Sequence, residues 1–110
     1  MSSALPFEID VQTLARLRDA GEALTIVDIR EPWETDVCLI EGSRKIPMRS
    51  LPERTAELPG EGLVVVVCHH GARSAQATAW LRSRGVDQAV NLQGGVEAWA
   101  LSIEPDMARY

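Results

Sequence analysis

Cysteine, positive charge and long apolar runs are all scarce in this chain, and each scarcity removes a class of protein. Its two cysteines, Cys38 and Cys68, are too few for a disulfide scaffold and lack zinc-like spacing, so both are read as reduced thiols. No apolar run approaches the ~20 residues that span a bilayer. Eleven Lys and Arg against sixteen Asp and Glu leave a formal charge of −5. That balance repels phosphate backbones and anionic lipid, so neither nucleic acid nor membrane is an expected partner. Met1 to Asp10 shows neither the basic start nor the apolar stretch of a secretory signal, and a cytoplasmic location is expected. Repeats, low-complexity segments and long linkers are absent as well. What is present is 110 residues of 45% hydrophobic composition, enough for one domain around one core.

Apolar patches punctuated by Gly and Pro give the order of elements. Asp10 is placed to cap a helix whose apolar positions Val11, Leu14, Leu17 and Ala20 recur every three residues, with Gly21 as its stop. Leu24 to Ile29 reads as a buried strand, and Glu31-Pro32-Trp33-Glu34 as a helix start with Pro32 in the first turn. Between Val37 and Gly62 the pattern weakens to a short extended piece at Ile46-Pro47, one or two helical turns over Leu51 to Leu58, and a turn at Pro59 to Gly62. Leu63 to Val67 is a continuous β-branched run, expected as the central strand of a parallel sheet buried on both faces. Ser74 to Arg84 follows helical spacing with Gly85 as C-cap, Ala89 to Leu92 reads as a strand, Gly94-Gly95 as a turn, and Val96 to Leu101 as a last helix. Strands alternating with helices predict an α/β domain with a mostly parallel sheet.

Cys68 stands at the carboxyl end of the central strand, where such sheets place their ligands. Loop N–H groups and the following helix N-terminus converge there and favour an anion, so a thiol in that place is set up as a nucleophile. Arg73 adds a cation at the far end of the loop, and Gly71 permits backbone angles that other residues resist. A cysteine can also end a strand as a small core hydrophobe. The polar or small residues that follow, His69-His70-Gly71-Ala72-Arg73-Ser74, would not extend a core and favour the nucleophile.

The stretch VCHHGARSAQATAWL, with IVDIREPWE upstream and NLQGGVEAW downstream, resembles the single-domain rhodaneses, a sulfurtransferase family, over nearly the whole chain. CLIEGSRKIPM and IEPDMARY further resemble a bacterial cytoplasmic subset. The resemblance implies one rhodanese-like domain over residues 1–110, with a core at about 7–101 and a tail at 102–110, and a five-stranded, mostly parallel sheet flanked by helices. It also implies a Cys68 that carries a persulfide. Residue by residue, Cys68 matches the catalytic cysteine. His69, His70, Gly71, Ala72 and Arg73 match the rest of the loop that cradles the outer sulfur, and Asp28 and Arg30 match the Asp-x-Arg that supports it. The chain departs at Cys38-Leu39-Ile40-Glu41-Gly42-Ser43, where many rhodaneses read Gly-His-Ile-Pro-Gly-Ala.

The implied activity moves sulfane sulfur from a small anionic donor such as thiosulfate to cyanide or a thiol, with a protein donor or acceptor also open and no metal or cofactor required. A carrier serving a dedicated partner is one alternative. A cysteine phosphatase or arsenate reductase is another, but those use Cys-x5-Arg around a phosphate, whereas Cys68-x4-Arg73 makes a smaller cradle. A binding module is a third, though such domains often lack the cysteine. The adjacent side chains of His69 and His70 are expected to diverge, which disfavours a metal site, and their protonation near pH 6.5 would attract anions. Ser74 is read as a donor toward the sulfur or as the helix cap. Cys38 is read as a structural thiol rather than a redox partner, and Trp33, Trp80 and Trp99 as core or rim packing. Arg44-Lys45 and Arg82-Ser83-Arg84 are read as solvated surface.

Overall fold

The computed structural model describes residues 5–110; Met1 to Ala4, part of the N-terminal reading, lie outside them. In chain order the elements are β1 (Glu8–Ile9), α1 (Val11–Asp19), β2 (Leu24–Asp28), α2 (Pro32–Val37), β3 (Arg44–Lys45), α3 (Leu51–Arg54), β4 (Leu63–Val67), α4 (Ala72–Ser83), β5 (Ala89–Leu92) and α5 (Gly95–Ser102). Short 3-10 turns flank α3 on both sides. The strands form one sheet in the order β1-β5-β4-β2-β3, and every neighbouring pair is parallel. β4 is therefore the central strand, as its valines require. Among the described residues, no helix is long and apolar enough to cross a membrane.

The strand period of two divides β4 between two cores. Val65 and Val67 pack with Val11 and Leu14 of α1 and with Val96 and Trp99 of α5 on one face. Val64, Val66 and the following Cys68 pack with Leu51 of α3 and with Ala77 and Leu81 of α4 on the other. Cys68 thus enters the site as the next residue of a buried row, and the cores on both faces fix its position.

The structure follows the local signals where one side chain decides them. Asp10 accepts from the Thr13 amide at 2.8 Å and caps α1. Pro32 opens α2. Differences arise where the backbone or a partner decides. β1 carries no strand pattern in its two residues and exists because the Asn91 and Gln93 amides donate to Phe7 and Ile9 carbonyls at 2.8 Å. Arg44-Lys45, read as solvated surface, is edge strand β3 with both side chains exposed, and positive charge is one way an edge is kept from pairing further. Arg82 is a tether rather than solvated surface: its guanidinium donates to the Ala89 and Pro6 carbonyls, each at 2.8 Å. α4 begins at Ala72, two positions earlier than its side-chain pattern indicates, because Gly71 at φ 107° serves as the N-cap.

Candidate active site

The loop from Cys68 to Arg73 leaves the end of β4 and runs into α4. The Cys68 sulfur accepts from the Gly71 amide at 3.0 Å, the Ser74 amide at 3.3 Å and lies 3.2 Å from the Ser74 hydroxyl. Two backbone N–H groups and one hydroxyl thus converge on one sulfur. Hydrogen bonds to an ionised acceptor are the strong kind, and these three donors are placed to hold a sulfur nucleophile in one position. Cys68 is only 1% exposed, which limits access to a small group arriving through the mouth of the loop.

Ser74 is not the helix cap, because Gly71 takes that place; it is a buried polar residue beneath the sulfur. Its hydroxyl also meets Asn91 Oδ1 on β5. The Asn91 amide nitrogen in turn donates to Glu8 at 3.1 Å and to the Gly71 carbonyl at 3.2 Å. Asn91 therefore links two strands to the loop that holds the thiol.

Helix α5 braces the loop from behind. The Val96 amide donates to the Cys68 carbonyl at 3.0 Å, and the Glu97 amide to the His69 carbonyl at 3.1 Å. So close an approach needs Gly95, where a Cβ would stand 2.3 Å from the Cys68 oxygen and 2.5 Å from that of His69. The Gly94-Gly95 pair, read from sequence as a turn, is also the seat of the sulfur loop.

Arg73 is not a free cation facing the sulfur. Its two terminal nitrogens donate to the two Glu34 oxygens, each at 2.8 Å, in a bidentate pair. The guanidinium holds the Glu34 carboxyl down to about 2, although burial opposes this. Asp28 and Arg30 form a buried ion pair at 2.7 Å. Arg30 also donates to the Cys38 and Glu34 carbonyls, at 2.7 and 3.3 Å, and reaches Cys38 Sγ at 3.7 Å. These two residues brace α2, which presents Glu34 to Arg73. Both cysteines are free thiols, with Cys38 half-buried.

The imidazoles of His69 and His70 do not diverge. They stack, with centroids 3.9 Å apart and planes at 28°. Tyr110 covers the other face of His69, also at 3.9 Å and at 16°. Burial and then the neighbouring His70 push the His69 pKa below its ordinary value, which works against the protonated form expected to attract anions near pH 6.5.

Sequence reasoning missed Glu34, Asn91, Gly95 and Tyr110. The Tyr110 phenol accepts from Arg30 at 2.8 Å and donates to Glu34 at 2.8 Å. Burial pushes the phenol up to about 12, so it keeps its proton at neutral pH. Trp33, 62% exposed, meets the Tyr110 ring edge-on at 5.6 Å. One signal was available: a lone tyrosine in an aromatic-poor chain is conspicuous.

Fold and site together define a class: parallel α/β proteins that present a cysteine at the end of a central strand in a short amide-lined loop. Within that class the chain belongs to the rhodanese-like domain family, whose model matches residues 10–102. A protein named sulfurtransferase from Allochromatium vinosum is 43% identical over 94 residues, covering 84% of this chain and 87% of the relative. The thiosulfate sulfurtransferase GlpE of Stutzerimonas stutzeri is 35% identical over 91 residues, covering 83% and 82%. The probable adenylyltransferase/sulfurtransferase MoeZ of Mycobacterium tuberculosis is 40% identical over 94 residues, 84% of this chain, which thus spans about a quarter of that protein's length (24%). The rhodanese-like domain protein of Staphylococcus aureus superposes with a TM-score of 0.80 at 31% identity, covering 86% of this chain and 91% of that one. The relatives support sulfur transfer as the general chemistry of this family branch.

Proposed function

We propose that the protein is a sulfurtransferase that carries sulfane sulfur on Cys68 as a persulfide. The observation that carries this reading is the convergence of the Gly71 and Ser74 amides and the Ser74 hydroxyl on one nearly buried sulfur. With thiosulfate as donor, the Cys68 thiolate attacks the sulfane sulfur and a new S–S bond forms. The old S–S bond breaks, and sulfite leaves with its electron pair. An acceptor such as cyanide or a thiolate then attacks the outer sulfur, and the Cys68 thiolate departs unchanged. His69, His70, Gly71, Ala72 and Arg73 form the cradle, Ser74 supports it, and no step calls on a metal.

The six-residue loop also disfavours phosphate chemistry, because Arg73 is engaged by Glu34 and is not free to clamp a tetrahedral dianion. A carrier role with a dedicated protein partner is a second reading, favoured by the exposed Trp33 at the Tyr110 rim. Initial rates with varied thiosulfate and cyanide test the proposal. Parallel double-reciprocal lines, lost with all turnover in Cys68→Ser, support two-step transfer, and converging lines overturn it. Weak thiosulfate turnover beside fast loading from a cysteine-desulfurase persulfide assigns the carrier role.

A further inference from the structure

The proposed cradle uses His69 and His70 through their backbone, and the stacking of their imidazoles brings together a side-chain cluster that no step of the transfer calls on. One ligand atom from each of His69, His70 and Glu97 lies within 4.8 Å of the others. The Glu97 amide holds the His69 carbonyl at 3.1 Å, which sets α5 beside the imidazole and leaves Glu97 Oε1 3.9 Å from His69 Nε2. That nitrogen is buried and has no hydrogen-bond partner among the described residues. An unsatisfied buried polar atom costs about 1–3 kcal/mol, so its persistence calls for a partner. Tyr110, stacked on one face of His69, holds the ring's direction while His70 on the other face is free to swing toward the shared ion.

We propose that His69, His70 and Glu97 form a binding site for a divalent transition-metal ion of the zinc, cobalt or nickel kind. Two imidazoles and one carboxylate suit such borderline ions better than calcium or magnesium, which take all-oxygen sets. Tetrahedral bonds of ~2.1 Å put ligand atoms about 3.4 Å apart, so the three must draw together by up to about 1.4 Å. His70 is exposed and can turn without disturbing the core. Arg109, now paired with Glu97, is the competitor that the ion displaces. The site lies one residue along the chain from Cys68, yet its donors are nitrogen and oxygen.

The test is a titration of the full chain with cobalt(II) chloride, followed by visible absorption, in wild type and in Cys68→Ser. One equivalent bound by both proteins, with no thiolate-to-cobalt charge-transfer band, is expected. His70→Ala and Glu97→Gln, checked for native far-ultraviolet circular dichroism, are each expected to weaken binding at least about tenfold, as loss of a ligand does. Arg109→Ala, which frees Glu97, is expected to keep or raise the affinity. Binding unchanged in His70→Ala or in Glu97→Gln, or lost in Cys68→Ser or Arg109→Ala, overturns the assignment. No arm depends on sulfur transfer, so the metal site and the proposed activity stand or fall separately.

Discussion

Ser74 has one hydroxyl proton and two acceptors within reach, the Cys68 sulfur and Asn91 Oδ1. When sulfur carries a proton, the thiol can donate to the hydroxyl while the hydroxyl donates to Asn91. When sulfur is anionic, the hydroxyl turns toward it, and Asn91 keeps its tethers to Glu8 and Gly71. Ser74→Ala deletes this adjustable donor but keeps the amide, so sulfur loading measured by stopped flow is expected to fall about 10- to 100-fold, the worth of one hydrogen bond to a charged group. Glu34 makes a second prediction. Its carboxyl titrates at about 2 in the folded protein against 4.5 ordinarily, so the folded state binds fewer protons across that interval. Its stabilisation is complete above about pH 4.5 and is lost as the pH falls toward 2. Glu34→Gln is expected to flatten the urea stability profile between pH 5 and 2. It is also expected to cost about 1–2 kcal/mol near neutrality, a modest value because Arg73 is partly open to solvent. At this scale Cys68 was legible from its place after four valines. Glu34 was not, since an acidic residue in a helix reads as surface until its partner, thirty-nine positions on, is known.

Two helix starts, rather than any one side chain, shape the sulfur loop. α4 points its first amides at Cys68 from the front, and α5 points its own at the Cys68 and His69 carbonyls from behind. Gly71, at φ 107°, turns the chain into α4, and Gly95 lets α5 approach. Gly95→Ala places a methyl against two carbonyl oxygens that cannot yield without moving Cys68. Urea unfolding is expected to show a loss of at least about 2 kcal/mol, with transfer activity falling further than stability does. Stability within about 0.5 kcal/mol of wild type contradicts the bracing role of α5. Side-chain periodicity located the bodies of these helices well. It missed the first residue or two of each because a helix N-terminus is set by backbone angles and amide partners, which periodicity does not record. β3 escaped for a related reason: two charged residues hold no strand pattern, and only pairing with Val27 and Asp28 makes them one.

Across the whole molecule, the last nine residues return to the site that the sheet builds. Met107 is buried with the α1 and α5 core, and Tyr110 joins Arg30, Glu34 and His69. The phenol ties the buried Asp28–Arg30 pair to the Glu34–Arg73 pair, so that four charges and one hydroxyl form a single network under the loop rim. Tyr110→Phe keeps the stack on His69 and removes the tie; it is expected to cost about 1 kcal/mol in thermal or urea stability while sulfur loading stays within a few-fold. The Asp-x-Arg pattern announced the first pair and the loop pattern announced Arg73, but their connection passes through a residue eighty positions from Arg30, beyond any local reading. The proposed function rests on one covalent event at Cys68. The direct measurement is the intact mass of wild type and Cys68→Ser after thiosulfate, and again after cyanide. A gain of one sulfur atom, about 32 Da, in wild type alone and reversed by cyanide is the predicted result. An equal gain in Cys68→Ser, or a wild-type adduct that cyanide does not remove, contradicts a persulfide on Cys68 as the carrier of transferable sulfur.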